Sequence, residues 1–297
     1  MCNWRFHTAH FAIAVLGFVM PSTLTGQQFS SATGYIPQGW FVYPDAKLKH
    51  ADETTLRCFN FSHSEWQVTG EGDDVIITKW SGRKVDVQSL PPLLKVQPGM
   101  PGQTTSAGLS GAMHFAKGWL LAYDGGEFGG GLWLTNDDGS EVRGILSDNV
   151  RAVVPLDGSG ILILSGLAHM STDFGNEFIF SNPDGLNITL QYSAHLDGAP
   201  MASARLADGS VLFVTTHSLY ALGKSESPAR PGHYFPNWMK MQYPNSIAAR
   251  SDGTIFIGMR MFVLRLTPNP TGYTEDWLLP NSCRKFEMRQ LNCVCQP

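Results

Sequence analysis

The feature that most constrains the fold of this chain is an internal repeat. Residues Glu127–Gly139 read EFGGGLWLTNDDG, and 46 positions later Asp173–Gly185 read DFGNEFIFSNPDG. Both copies begin with an acid and Phe-Gly, end in Asn-x-Asp-Gly, and enclose a short apolar stretch. Asn and Asp side chains bond their own backbone in tight turns, and Gly supplies positive φ. Each copy therefore predicts a short β-strand followed by a turn.

A second pattern, Asp-Gly-Ser/Thr followed by β-forming residues, recurs along the chain. It is present in Asp157–Leu164, Ala207–Val214 and Ser251–Gly258, and weaker copies surround Gly72 and Gly118. Short runs of β-formers bounded by such turns are typical of strands in an all-β protein.

Together the copies mark five units of about 40 to 51 residues, running from about His63 to Ser282. Periods of about 40–50 residues with four strands each are typical of a β-propeller, in which each unit buries its faces only against its neighbours. We therefore predict an all-β chain that forms a β-propeller. A β-sandwich is the alternative, but it does not require a repeating period.

The residues outside these units predict a sixth blade. Strand-like stretches at Gly39–Pro44 and Thr55–Phe61 could pair with Phe286–Cys295, so that residues 33–62 and 283–297 form one four-stranded blade that closes the ring. A five-bladed ring with an appended tail is the alternative.

The first 26 residues have the composition of a secretory signal peptide. An apolar run, Phe11–Met20, follows Arg5 and precedes a small-residue segment, Pro21–Gly26, after which residues 27–297 would form a single propeller domain. The run has about half of the roughly 20 residues that a membrane-spanning helix needs. We expect a secreted or periplasmic protein with no membrane span. The net charge of −4, which cleavage makes more negative, argues against a nucleic-acid partner.

Four cysteines remain after cleavage: Cys58, Cys283, Cys293 and Cys295. An even set in an exported protein predicts two disulfides. A bond from Cys293 to Cys295 would span a single residue and is disfavoured by disulfide geometry. We therefore expect Cys58 to bond one of the three C-terminal cysteines, and Cys283 to close a short loop to another. A zinc site is the alternative, although the sequence has no CxxC pair.

Three stretches resemble parts of known propeller families. Residues Tyr243–Leu266, YPNSIAARSDGTIFIGMRMFVLRL, resemble a blade of the NHL and gluconolactonase-like propellers. The turns Thr135–Val142 and Ser181–Ile188 resemble the Asp-box of sialidase-like propellers. The first resemblance implies a metal held by Glu, Asn and Asp, of which only Asn245 lies where such a ligand is expected. The second implies an arginine cluster with a tyrosine and carboxylates, which the thinly spread arginines do not provide.

Two polar loops, residues 124–131 and 166–177, give the candidate site. In a propeller, the loops that join the second strand to the third gather on one face with the loops between blades. These loops would bring five side chains to one rim: Asp124, Glu127, His169, Asp173 and Glu177. Paired carboxylates could catalyse glycoside hydrolysis, and the same oxygens could hold Ca²⁺ or another divalent ion. Because the Phe-Gly motif recurs, we favour structural anchors, with Phe packed inward and Gly at the bend.

The segment His233–Tyr243 is rich in aromatic and methionine residues and gives a second candidate surface. If exposed, Tyr234 and Trp238 would contact a glycan or a protein, whereas an outer strand would bury them against the next blade. Clear repeats without a complete catalytic set favour a non-catalytic binding module for a protein or carbohydrate partner. The alternative is a metal-assisted hydrolase, lactonase- or glycosidase-like, working at the rim or around Asn245.

Overall fold

A computed structural model describes residues 35–43, 53–82, 85, 90, 108–158, 160–224, 228–235, 242–289 and 292–295. The chain divides into two units, Met1–Tyr35 and Ile36–Pro297, and all elements below belong to the second. The predicted signal peptide, residues 1–26, and Trp238 lie outside the described residues. Within the described ranges, no helix has the length and apolar character needed to cross a membrane.

The first described elements are short. Strand β1 covers Trp40–Val42, helix α1 covers Glu53–Asn60, and β2 (Trp66–Glu71) pairs with β3 (Asp74–Lys79) as an antiparallel hairpin. Gly72 turns this hairpin with a φ of 61°, as the weak copy of the repeat around it predicts.

Three antiparallel sheets of four consecutive strands follow. Sheet A contains β4 (Gly108–Phe115), β5 (Gly118–Asp124), β6 (Gly130–Asn136) and β7 (Val142–Leu146). Sheet B contains β8 (Val150–Pro155), β9 (Gly160–His169), β10 (Thr172–Ser181) and β11 (Leu190–Leu196). Sheet C contains β12 (Pro200–Arg205), β13 (Val211–Thr215), β14 (Ser218–Leu222) and β15 (Arg230–Tyr234). This succession confirms an all-β chain of several four-stranded antiparallel sheets.

Sheet D gains a fifth strand from far upstream. Its consecutive strands are β16 (Ser246–Ala249), β17 (Ile255–Gly258), β18 (Val263–Asn269) and β19 (Gly272–Pro280), and β1 pairs antiparallel with β19. The last strands, β20 (Phe286–Arg289) and β21 (Asn292–Cys295), pair with each other. The expected pairing of residues 39–44 with 286–295 is therefore replaced by two separate pairings.

Residues 53–60 form helix α1, whereas the sequence analysis expected a strand at Thr55–Phe61. Leu56 and Phe59 lie three residues apart and share one helix face, and that face packs into a cluster with Trp277. The ring centroids of Phe59 and Trp277 are 5.9 Å apart. Arg57 in the last turn also suits a helix, because cations are favourable near the C-terminal end of the helix dipole.

Two disulfides bond the C-terminal cysteines of the described chain. Cys58 of α1 bonds Cys293 of β21, and Cys283 bonds Cys295. Both expectations are confirmed: Cys58 takes a C-terminal partner, and Cys283 closes a short loop. A four-thiolate zinc site is thereby excluded in this oxidised form.

The four sheets stack face to face in chain order. β4 contacts β8, β8 contacts β12, β12 contacts β16, and β16 contacts β2. Apolar side chains from facing sheets fill the gaps, including Leu132 with Ile163, Leu164 with Phe213, and Val214 with Ile257. Such stacking around the first strands is consistent with a propeller.

The Asp-Gly-Ser/Thr motifs form the tight turns that the sequence predicts. The Oδ1 atoms of Asp138, Asp208 and Asp252 each accept the backbone N–H two residues later at 2.9 Å. The glycine after each aspartate has a φ between 78° and 86°, where only glycine is unstrained. The local chemistry of the repeat thus fixes where strands end.

Candidate functional site

The rim is the end of the sheets at which the second strand turns into the third and one sheet leads to the next. Its described connections are residues 125–129, 147–149, 170–171, 197–199, 216–217, 242–245 and 259–262. Backbone hydrogen bonds tie neighbouring connections together: the N–H of Thr216 donates to the carbonyl of Ala199 at 3.0 Å, and that of Arg260 to Gln242 at 3.0 Å. The two kinds of loop therefore meet on one face, as expected for a propeller.

Asp124 ends β5 and pairs with a cation of the next sheet. Its Oδ2 lies 2.9 Å from Nη1 of Arg151 on β8, and the two side chains are only 15% and 20% exposed. Its Oδ1 accepts the backbone N–H of Gly126 at 3.1 Å. Nε of Arg151 donates to the carbonyl of Gly166 at 3.3 Å. This ion pair links sheets A and B.

Glu127 and His169 form a second, more exposed link between the same sheets. Glu127 lies in a single 3-10 turn, Gly126–Phe128, and its Oε2 is 3.3 Å from Nδ1 of His169 at the end of β9. Both side chains are about half exposed, so this pair stabilises the fold less than a buried pair does.

Asp173 on β10 links sheet B to sheet C. Its Oδ1 accepts the backbone N–H of Ala199 at 3.0 Å and the hydroxyl of Thr216 at 2.8 Å. Its Oδ2 lies 3.3 Å from Nε2 of His217. The carboxylate is therefore held by three groups of the neighbouring sheet.

Glu177 is buried instead of lying at the rim. Only 1% of the residue is exposed, and its carboxylate accepts the backbone N–H of Ala229 at 3.2 Å. Burial raises the pKa of the Glu177 carboxyl, and the hydrogen bond from Ala229 opposes that rise. The alternation of β10 places Glu177 on the face toward sheet C, well below the loops.

The repeated phenylalanines do not pack inward as expected. Phe128 is 57% exposed and Phe174 is 41% exposed. The glycines do serve the bend and the close packing: Gly129 has a φ of 90°. A Cβ on Gly175 would lie 2.2 Å from the carbonyl oxygen of Gly198. Phe174 belongs to β10, because strand pairing continues through the segment interpreted as a loop.

Asn245 lies where the first strands of three sheets meet. Its Nδ2 donates to Oε1 of Glu65 at 3.2 Å, and its Oδ1 accepts the hydroxyl of Ser246 at 2.7 Å. A cavity of about 120 Å³ is lined here by Arg151, Ser203 and other residues of β8 and β12. Its volume is well below the roughly 300–1,000 Å³ of typical ligand pockets.

The metal implied by the gluconolactonase-like resemblance does not fit these side chains. Asn245 and Glu65 supply an amide and a carboxylate, but Oε2 of Glu65 also lies 3.8 Å from Nε of Arg260. Among the described residues, no group of three or more His, Cys, Asp or Glu side chains could hold a metal ion. Three residues that contact the candidate site were not predicted from the sequence: Glu65, Arg151 and His217. For Arg151, the available signal was a charged residue within an otherwise apolar first strand, β8.

Exposed apolar side chains are concentrated at the rim. Nine large hydrophobic residues are exposed in the described ranges. Five of them lie on or beside the rim connections: Phe128, Met170, Phe174, Tyr234 and Tyr243. Tyr234 is 65% exposed, and its ring stacks 6.5 Å from the ring of His217.

Residues with a strained backbone are also found at the rim. The non-glycine residues with positive φ in the described chain are Met170, Tyr243 and Met261, at 51°, 51° and 68°. All three lie in rim connections. Left-handed backbone costs energy for such residues and is concentrated at binding and active sites.

No family model matches the chain, and no curated protein matches it. Solved structures similar to it include a candidate 6-phosphogluconolactonase from Bacteroides uniformis, with 13% identity, 63% of each chain covered and a TM-score of 0.41. The extracellular domain of a candidate hybrid two-component system from B. thetaiotaomicron has 11% identity and a TM-score of 0.31, covering 86% of this chain and 38% of that one. Virginiamycin B lyase from Staphylococcus aureus has 9% identity and a TM-score of 0.30, covering 75% and 86%. This chain spans less than two thirds of the length of the first two of these structures.

Proposed function

We propose that the chain is an exported propeller that binds a protein or carbohydrate partner through its rim and does not catalyse a reaction. One contrast supports this most. The rim carboxylates are engaged with adjacent sheets, as Asp124 is with Arg151. The apolar side chains beside them, such as Met170 and Tyr234, are exposed to solvent.

The contacts of the carboxylates favour a structural role. A glycosidase needs one carboxyl group to protonate the leaving group and another to act as nucleophile or base, both open to the substrate. Asp173 is 14% exposed and accepts hydrogen bonds from two groups besides its contact with His217. Such a carboxylate joins two sheets and offers little to a substrate.

Export is supported by the two disulfides, since such bonds persist in oxidising compartments. Together with the predicted signal peptide, they favour a secreted or periplasmic location. The terminal segments favour the five-bladed alternative over six blades. β1 extends sheet D at its outer edge, while α1 and the β20–β21 hairpin form an appended clasp.

The test separates binding from catalysis. Full-length protein is assayed against a panel of lactone and glycoside substrates, with Asp124→Asn and Asp173→Asn as variants. We expect no turnover by any of the three proteins. Turnover that both substitutions abolish would overturn the proposal. In parallel, Tyr234→Ala is compared with Ile76→Ala, an exposed residue of the β2–β3 hairpin, for binding to a glycan array.

The hydrolase alternative makes a different prediction. Protein purified without chelator would then hold about one divalent ion per chain, and Asn245→Ala would release it. We expect metal analysis to find no stoichiometric ion, because Asn245 and Glu65 lack a third ligand among the described residues.

A further inference from the structure

We propose that the partner is a protein, and that it docks an uncharged apolar segment on the projecting tip of the β9–β10 hairpin and the neighbouring turn. This surface, the hairpin patch, consists of Phe128, Met170 and Phe174. The proposal rests on the proposed function and deepens it by naming the class of partner.

The hairpin extends beyond the rest of its sheet. β9 and β10 pair without interruption from Gly160 opposite Ser181 to His169 opposite Thr172. β8 pairs with β9 only as far as Ser165. Gly166 still donates its N–H to the carbonyl of Asn149, so the three residues Leu167–His169 project about 10 Å at the rise of a β-strand.

Only sheet B has such a projection among the described sheets. In sheet A the pairing of β4 reaches Asp124, the last residue of β5. In sheet C the pairing of β12 reaches Thr215, and in sheet D that of β16 reaches Gly258, each the last residue of its second strand. The extra length of β9 and β10 is therefore not required by the repeat.

The patch combines side chains from two sheets. Phe174 and His169 share one face of the hairpin, because Thr172 lies opposite His169 and side chains alternate along β10. On that face His169 meets Glu127, and β9 contacts the turn that carries Phe128. Met170 occupies the tip with 84% exposure and a φ of 51°. The contact between His169 and Glu127 thus holds the tip beside the turn.

The polar groups around the patch are already engaged by protein groups, which favours an uncharged apolar segment as the occupant. Asp124 pairs with Arg151, Asp148 accepts hydrogen bonds from Ser165 and Asn176, and Glu127 lies beside His169. The described rim connections contain no lysine. Interface cores are enriched in aromatic residues and methionine and depleted of lysine, and methionine adapts its shape to a partner. A glycan would instead need polar groups ready to bind hydroxyls, and these carboxylates already accept protein donors.

The test uses the full-length chain and two defined probes, a phage-displayed library of random 12-residue peptides and a glycan array. We expect enrichment of peptides rich in aromatic and aliphatic residues. Phe128→Ser combined with Phe174→Ser should weaken their binding at least tenfold. Leu190→Ser, at an exposed residue on the opposite end of sheet B, should leave it unchanged. Met170→Asp supplies a second variant, because a residue this exposed can change without unfolding the core.

The outcomes distinguish this inference from the proposed function. Glycan binding that the Phe128 and Phe174 substitutions abolish would overturn the protein partner and leave a binding module. Absence of enriched peptides, or equal loss of binding in Leu190→Ser, would also overturn the inference. Turnover of a substrate dependent on Asp124 would overturn the proposed function itself.

Discussion

Breaking the disulfide between Cys58 and Cys293 should destabilise the protein more than breaking the one between Cys283 and Cys295. The two bonds close loops of very different size, with sequence separations of 235 and 12 residues. A crosslink stabilises the fold mainly by reducing the entropy of the unfolded chain, which grows with the logarithm of loop length. This relation gives about 5.5 kcal/mol for the long loop and about 2.8 kcal/mol for the short one at 25 °C.

Two double variants measure the difference: Cys58→Ala with Cys293→Ala, and Cys283→Ala with Cys295→Ala. Each removes two sulfur atoms, and each pair includes at least one cysteine that is nearly inaccessible to solvent. Equilibrium unfolding in guanidinium, followed by tryptophan fluorescence, gives the free energy of unfolding by linear extrapolation. We expect the first variant to be less stable than the second by about 2.7 kcal/mol.

The opposite order would refute the reasoning from loop entropy. If the short-loop variant loses as much stability as the long-loop variant, native contacts around each bond decide its contribution. The packing of α1 against β21 would then matter more than the span of chain that Cys58 closes.

Further predictions concern buried and tightly packed groups. Burial raises the pKa of the Glu177 carboxyl in the folded protein above its value in the unfolded chain. The stability that this carboxyl contributes is therefore fully present below the unfolded pKa, and it is lost as pH rises through the folded pKa. Glu177→Gln should therefore raise Tm near neutral pH, by about 2–4 °C for each kcal/mol of unfolding free energy recovered. Near pH 3.5 the same substitution should leave Tm unchanged. A lower Tm at neutral pH would contradict this. Asp124→Asn should lower the free energy of unfolding, measured in urea, by about 1.5–3 kcal/mol. Glu127→Gln should lower it by only about 0–1 kcal/mol, because the contact of Glu127 with His169 is half exposed. Equal losses in the two variants would contradict this difference. Gly198→Ala should lower Tm measurably by calorimetry, since its Cβ would lie 2.1 Å from Oγ1 of Thr216, and an unchanged Tm would refute that clash.

Turn chemistry made much of the fold predictable from the sequence. At Asp138, Asp208 and Asp252 an aspartate, a glycine and a hydroxyl residue determine the turn by themselves, without help from distant parts of the chain. Such turns recur 46 residues apart at Asp138 and Asp184, and 44 residues apart at Asp208 and Asp252, which was enough to predict successive four-stranded sheets. The pattern depends on local contacts, which is why it can be read from sequence.

The segments that the sequence analysis misinterpreted depend on distant contacts. Residues 55–61 alternate in a way that suits a strand, and short apolar runs do not distinguish strand from helix. The choice is made by the pocket around Trp277 and by Cys293, both more than 200 residues away. Phe286–Cys295 likewise pairs with itself, since the outer edge of β19 is already taken by β1.

The sequence predicted which acidic residues lie at the candidate site, but not which residues they contact. The sequence placed Asp124, Glu127 and Asp173 near one face, but their partners come from other sheets. Arg151 and His217 are 27 and 44 residues further on than the acids Asp124 and Asp173 that they contact. Phe174 is exposed because β10 is longer than its counterparts, a property that local composition does not reveal.

The bond between Cys58 and Cys293 also sets an order of events during synthesis. Cys58 leaves the ribosome 235 residues before its partner, a delay of about 12–47 s at roughly 5–20 residues per second. Throughout that interval the thiol of Cys58 has no native partner, and β1 likewise cannot pair until β19 has been made. Central sheets can assemble as they emerge, whereas the amino-terminal segments reach their final places only after the last strands have been made.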